Sequence, residues 1–173
     1  MKHWYMVTLV GEDRPGIVAK VTSALYEGEC NLGETSMMRL GENFTIMMMV
    51  SSDASASQLE SLLRPVADSL GLRLHVDRIR GKLHSHLVPD VRITVSGADR
   101  AGIVAKVTSA LAEAGLNILD LESDVAGSEE APLYIMCIEG VAGEGVAALE
   151  AAVEVISREG IDIAISPIET LIG

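Results

Sequence analysis

The stretch Gly11-Glu-Asp-Arg-Pro-Gly-Ile-Val-Ala-Lys-Val-Thr-Ser-Ala-Leu25 recurs as Gly97-Ala-Asp-Arg-Ala-Gly-Ile-Val-Ala-Lys-Val-Thr-Ser-Ala-Leu111. Thirteen of the fifteen positions are identical at an offset of 86, and Asn31 falls on Asn117 at the same offset. A period this long marks two copies of a whole domain, not a solenoid of small units. Length alone does not decide between the two. A chain of 173 residues could bury roughly 70% of its unfolded surface as one domain, or form two domains near the lower end of common sizes.

Working outward from the repeat, each copy reads the same way. Trp4 to Val10 is apolar and rich in strand formers. Asp13-Arg14-Pro15-Gly16 breaks it, with Pro15 suited to a first helical turn. Ile17, Val18, Val21, Ala24 and Leu25 then follow the spacing of an amphipathic helix that Gly28 ends. Asn31 to Leu40 and Asn43 to Ser52 are expected as two strands hinged at Gly41. Leu59, Leu62, Leu63, Val66, Ala67 and Leu70 predict a second helix, with Ser55 and Gln58 as a capping box and Gly71 as its end. Leu72, Leu74 and Val76 alternate with polar residues as a last, half-buried strand. The second copy predicts strand 91–96, helix 101–114, strands 117–126 and 133–139, helix 144–158 and strand 161–166, with a longer hairpin loop around Gly127 to Pro132.

The order β-α-β-β-α-β is the ferredoxin-like split βαβ unit. The fold class is therefore α+β: two tandem ferredoxin-like domains, each an antiparallel sheet with its helices on one face. The expected boundaries are 1–82 for the first domain, 83–88 for a linker and 89–173 for the second.

Composition narrows the function. Hydrophobic residues make up 49% of the chain, with one Trp, one Phe and three Tyr against eight Met, so the core is aliphatic and Met-rich. Met47-Met48-Met49 is read as a core strand. Thirteen basic and 25 acidic residues give a net charge of −12. The phosphate backbone repels such a chain, so direct nucleic-acid binding is not expected. The run Arg73, Arg78, Arg80 and Lys82 is read as a solvated strand end. Cys30 and Cys137 form no disulfide framework and are read as buried small hydrophobes. No signal peptide or membrane-length apolar run is present in the sequence, so a soluble, cytoplasmic protein outside the membrane is expected. Gly11-x4-Gly16 lacks the Lys-Ser/Thr of a phosphate loop, and His84-x-His86 is too few ligands for a metal site. No nucleophilic triad or catalytic carboxylate pair is recognisable. The expectation is a non-enzyme with no cofactor and no metal.

The Gly-x-Asp-Arg-x-Gly-Ile-Val turn, its helix and the Asn that opens the next strand resemble the ACT domain, in both copies and so over nearly the whole chain. The tandem with no attached catalytic domain is similar to the glycine cleavage system transcriptional repressor family. Cys30-Asn31, Ser36-Met37-Met38 and Glu42-Asn43-Phe44-Thr45-Ile46-Met47-Met48 resemble that family's hairpin, and Gly115-Leu116-Asn117-Ile118 matches ACT domains more generally. Formyltetrahydrofolate deformylases also begin with such a domain, but their catalytic domain is absent from this sequence and their activity is not implied.

The resemblance implies domains that pair side by side into eight-stranded sheets and bind amino acids at the domain interface. Carried over, the ligand-binding residues are Asp13, Arg14, Gly16, Ile17 and Asn31, with Asp99, Arg100, Gly102, Ile103 and Asn117 as counterparts. A helix N-terminus suits a ligand carboxylate, Asn can both donate and accept, and Asp can take an ammonium. Each has a plainer reading. Asp13 and Asp99 also suit helix caps. Gly16 and Gly102 suit close helix-to-sheet packing, Arg14 and Arg100 solvated surface, and Asn31 and Asn117 turn-fixing hydrogen bonds. Pro15 becomes Ala101, so the two sites are not expected to be equivalent.

The implied function is an amino-acid-responsive transcriptional coregulator of glycine cleavage or amino-acid metabolism. It would take a small amino acid such as glycine as effector, and act on a protein partner such as a DNA-bound activator. A homodimer is expected from the exposed edge strands. The alternatives are a detached amino-acid sensor subunit of a metabolic enzyme and a ligand-free interaction module.

Overall fold

The computed structural model describes residues 2–80, 87–98 and 102–168. The chain divides into two compact units, residues 1–85 and 86–173. The expected linker falls mostly outside the described residues, and Asp99 and Arg100 fall wholly outside them.

The first unit contains β1 (His3–Glu12), α1 (Ile17–Glu27), β2 (Asn31–Leu40), β3 (Asn43–Ser52), α2 (Ala56–Leu70) and β4 (Arg73–Ile79). The second contains β5 (Val91–Ala98), α3 (Ile103–Glu113), β6 (Leu116–Ser128), β7 (Ala131–Ala142), α4 (Val146–Ser157) and β8 (Asp162–Pro167). The strand orders are β2-β3-β1-β4 and β6-β7-β5-β8, with every pairing antiparallel. This is the βαββαβ arrangement the repeat predicts, twice over.

Period-two alternation along the central strands builds each core. Tyr5, Val7 and Leu9 of β1 and Phe44, Ile46, Met48 and Val50 of β3 turn inward and are buried. Ile17, Val21, Ala24 and Leu25 of α1 and Leu59, Leu63, Ala67 and Leu70 of α2 cover them. Val91, Ile93 and Val95 with Met136 and Ile138 repeat the pattern beneath Val107, Leu111, Leu149 and Val153. The capping box at α2 forms as expected: Gln58 donates its backbone N–H to Ser55 Oγ at 3.3 Å, and Ser55 donates its own to Gln58 Oε1 at 2.8 Å. With that start secured, the apolar stripe carries α2 through Pro65, which forfeits one helical hydrogen bond.

The structure corrects several expectations. Only Met48 of the Met47-Met49 run is in the core. Met47 is 47% exposed because the pleat sends alternate residues to the outer face. Cys30 and Cys137 are half-buried, not buried. Cys30 packs at the margin of the first core and donates its thiol to Gly28 O at 3.4 Å. Cys137 stands on the outer face of its sheet, across from Thr94 and Glu122. The extra residues of the second hairpin lengthen its strands rather than its loop, since pairing continues to Ser128 opposite Ala131. Both edge strands carry an irregularity at the same place, between Leu32 and Thr35 and between Ile118 and Asp120, which increases local twist. Among the described residues, no helix is long and apolar enough to cross a membrane.

Leu25 and Leu111 occupy equivalent positions of the repeat and are both 0% exposed. Replacing either with Ala should cost about 2–5 kcal/mol in urea denaturation. Val18→Ala, at a position 39% exposed, should stay within about 0.5 kcal/mol.

Candidate functional site

The candidate loop joins β1 to α1. The backbone N–H of Asp13 donates to Glu42 O at 2.8 Å, which ties the loop to the β2–β3 turn. The Asp13 carboxylate pairs with Arg39 Nε at 2.6 Å. Arg39 is a residue that sequence reasoning missed, because only the strand register brings the end of β2 level with the end of β1, across β3. Arg14 turns outward and donates to Glu12 Oε2 at 3.0 Å, in keeping with its reading as solvated surface.

Asp13 does not cap the helix. The N-cap of α1 is Gly16, in the left-handed region at φ 87° and ψ 2°, and Pro15 lies before it, outside the first helical turn. The N-cap of α3 is Gly102 at φ 91° and ψ 0°. A Cβ built on either glycine meets no atom within 4 Å. The close-packing reading of these glycines is therefore overturned. They are required by the sign of φ, which L residues adopt at a cost, and the space above them is open.

This entry leaves α1 and α3 without a side-chain cap and without an acidic residue in the first turn. The capped start of α2 shows the contrast within the same unit. Helix α4 also begins uncapped, at Gly145, but through an extended ψ of 163°; the left-handed entry is common to α1 and α3. The first-turn N–H groups at these starts carry the positive end of the helix dipole toward solvent. Ile17 and Ile103 are 2% and 4% exposed, so their side chains belong to the cores and only their backbones face the loop.

Asn31 and Asn117 lie elsewhere. Asn31 pairs with Ser51, which also pairs with Trp4, whereas the loop end of the sheet is the row Gly11, Phe44, Arg39. Seven residues of β3 separate the two rows, roughly 25 Å at strand rise. Asn117 is displaced in the same way, opposite Val141, while Ala98 lies across from Leu133. Both asparagines are exposed. Among the described residues, neither side chain makes the turn-fixing hydrogen bond that was the plainer reading. No group of three or more metal-ligating side chains comes together among the described residues.

Substituting Gly16 or Gly102 with Ala should cost about 1–2 kcal/mol in chemical denaturation although nothing crowds the new methyl. Asn, which tolerates the left-handed region better, should cost less than Ala at both positions.

Comparison with known proteins gives the same partition of the chain. Models described as ACT domain match residues 3–77 and residues 91–157. The glycine cleavage system transcriptional repressor of Escherichia coli is 29% identical over 129 residues, covering 74% of this chain and 68% of that protein. The UPF0237 protein YjhC of Lactococcus lactis is 45% identical over 74 residues, 41% of this chain and 83% of that protein. Among solved structures, an unknown protein from Galdieria sulphuraria matches with a TM-score of 0.76 at 25% identity, over 98% of this chain and 100% of its own.

Proposed function

Because the chain belongs to the ACT domain family, we propose that it is an amino-acid-responsive regulatory protein and not an enzyme. The observation that carries the reading is the repeated one. In both copies the first helix opens uncapped on a left-handed glycine with open space above it. Such an opening offers N–H donors to a carboxylate. In the first unit Asp13 stands beside it to meet an ammonium, which would compete with Arg39 for the same carboxylate. Asp13, Arg14, Gly16 and the Ile17 backbone form one half of the proposed site. Asp99, Arg100, Gly102 and Ile103 are assigned the same roles in the second copy.

Asn31 and Asn117 complete the site only if another sheet edge supplies them. Strand β2 is an exposed edge and runs parallel to β1, since both pair antiparallel with β3. Two such edges laid antiparallel carry the Asn end of one sheet to the loop end of the other. This arrangement favours a homodimer. The effector would then bind where two edges meet, and would favour the paired arrangement by its differential affinity for it.

The likeness to the Escherichia coli repressor supports control of glycine cleavage or amino-acid metabolism, with glycine or a similarly small amino acid as effector. The net charge of −12 disfavours a phosphate backbone and supports action in the cytoplasm through a protein partner such as a DNA-bound activator.

Thermal unfolding against a panel of the twenty amino acids tests the reading. A ligand at about 100 times its Kd adds about 2.7 kcal/mol, which should raise Tm by roughly 5–10 °C. One or two small amino acids should produce that shift, and Asp13→Asn should reduce it. A flat panel would move the assignment to a ligand-free interaction module.

A further inference from the structure

We propose that the outer face of the first sheet, opposite the face that α1 and α2 cover, docks the same face of a second copy of this chain. Residues that alternate with the buried rows of β1 and β3 point to this outer face. From Trp4 to Val10 and from Thr45 to Ser51, none of these outward residues is ionisable. Trp4, Met6 and Met49 are half-buried there, and Val10 and Met47 are exposed. The indole of Trp4 reaches toward Gly33, where an added Cβ would come within 2.9 Å of the ring, so the apolar surface continues onto β2. The second unit shows what the same face carries when it is built for water. Met6 stands across from Met49; at the equivalent place Arg92 stands across from Glu139 and pairs with it at 2.6 Å. A contiguous apolar patch marks an interaction site, and adaptable Met side chains suit one.

The strand register selects the occupant. Across the outer face, Thr8 is level with Met47 and His75, and the next row is Met6 with Met49 and Asp77. Val10 and Trp4 lie in the rows on either side of these two. A two-fold axis between the two middle rows, perpendicular to the strands, lays the face on its own copy with the ends exchanged. Met47 then meets Met49 of the second copy, and Val10 meets its Trp4. On β4, His75 stands over Asp77 of the second copy, the same pairing that the two residues make at 2.9 Å within one chain. Apolar groups meet apolar groups, and the imidazole meets a carboxylate. Each strand crosses its own copy, which suits the aligned packing of two sheets. Four strands and four rows span about 19 by 27 Å, so two copies cover about 1,000 Å² between them, where specific interfaces begin. At a net charge of −12, repulsion between copies opposes association, and central rows without charge add nothing to it. The stack leaves the backbone ladder of β2 open, so it adds to edge pairing and does not replace it.

Sedimentation equilibrium of the full-length chain tests this. Met6→Arg/Met49→Glu copies into the first sheet the ion pair that the second unit carries, with folding checked by thermal unfolding. The wild-type chain should have twice the mass of this variant. That ratio holds whether the β2 edges pair, as four chains against two, or stay apart, as two against one. It is therefore read separately from the edge-paired dimer. Met47→Lys, on the same face, should halve the mass as well and serves if the double variant unfolds. Ile135→Lys, on the outer face of the second sheet, should leave the mass unchanged. Trp4 is the single tryptophan of the chain, and its emission should move to longer wavelength as the wild-type chain dissociates on dilution. Equal masses for the wild-type chain and Met47→Lys would overturn the proposal and give this face to a partner other than a second copy. An equal loss of mass in Ile135→Lys, or a Trp4 emission that stays fixed through dissociation, would overturn it too.

Discussion

Burial of one sheet face beneath two helices governs everything else in each half of this protein. The inward rows of β1 and β3 are closed off by α1 and α2, and a helix crossing a sheet must carry the chain back to where the strand began. Strand β2 therefore starts level with the start of β1, and Asn31 is placed at the far end of the sheet from Gly16. The separation between the two halves of the proposed amino-acid site follows from this packing. It is also why an exposed sheet edge matters to that proposal: its two halves stand at opposite ends of the sheet, and β2 leaves an open ladder between them.

The domain division and the element order were legible because their signals are local. The repeated turn and helix declare two copies, and period-two runs such as Tyr5, Val7 and Leu9 declare buried strands. The capping box was legible for the same reason, since Ser55 and Gln58 are three residues apart. What escaped the sequence depends on register or on the sign of a dihedral angle. The pairing of Arg39 with Asp13 requires knowing that β2 and β1 end together. The start of α1 was misplaced because Asp followed by Pro looks like a cap and a first turn, whereas the chain turns on Gly16 instead. The hydrogen bond from Arg78 to His3 joins residues 75 positions apart. From the sequence, Arg78 and Arg80 were only the polar end of a strand, and Arg73, grouped with them, points elsewhere.

Charge is unevenly shared between the two copies of one ancestral pattern. Residues 1–85 carry nine basic and ten acidic side chains, whereas residues 86–173 carry four and fifteen. The repeated turn and helix sequences are nearly identical, so the divergence lies in what surrounds them. The outward row of β6, Asp120, Glu122 and Asp124, corresponds to Glu34, Ser36 and Met38 of β2. A duplicated domain has kept its core and its helix entry while its two outer faces acquired different chemistry, one apolar and near neutral, the other acidic.

Gly16 and Gly102 stand in a backbone conformation that is the mirror image of the one most residues prefer, with empty space where a side chain would project. A D-alanine introduced at either position by chemical ligation would sit in its own favoured region and meet nothing. It would also narrow the freedom of the unfolded chain, which glycine leaves wide. The turn that opens both helices is thus a site of inverted handedness, held by the only encoded residue that has no hand.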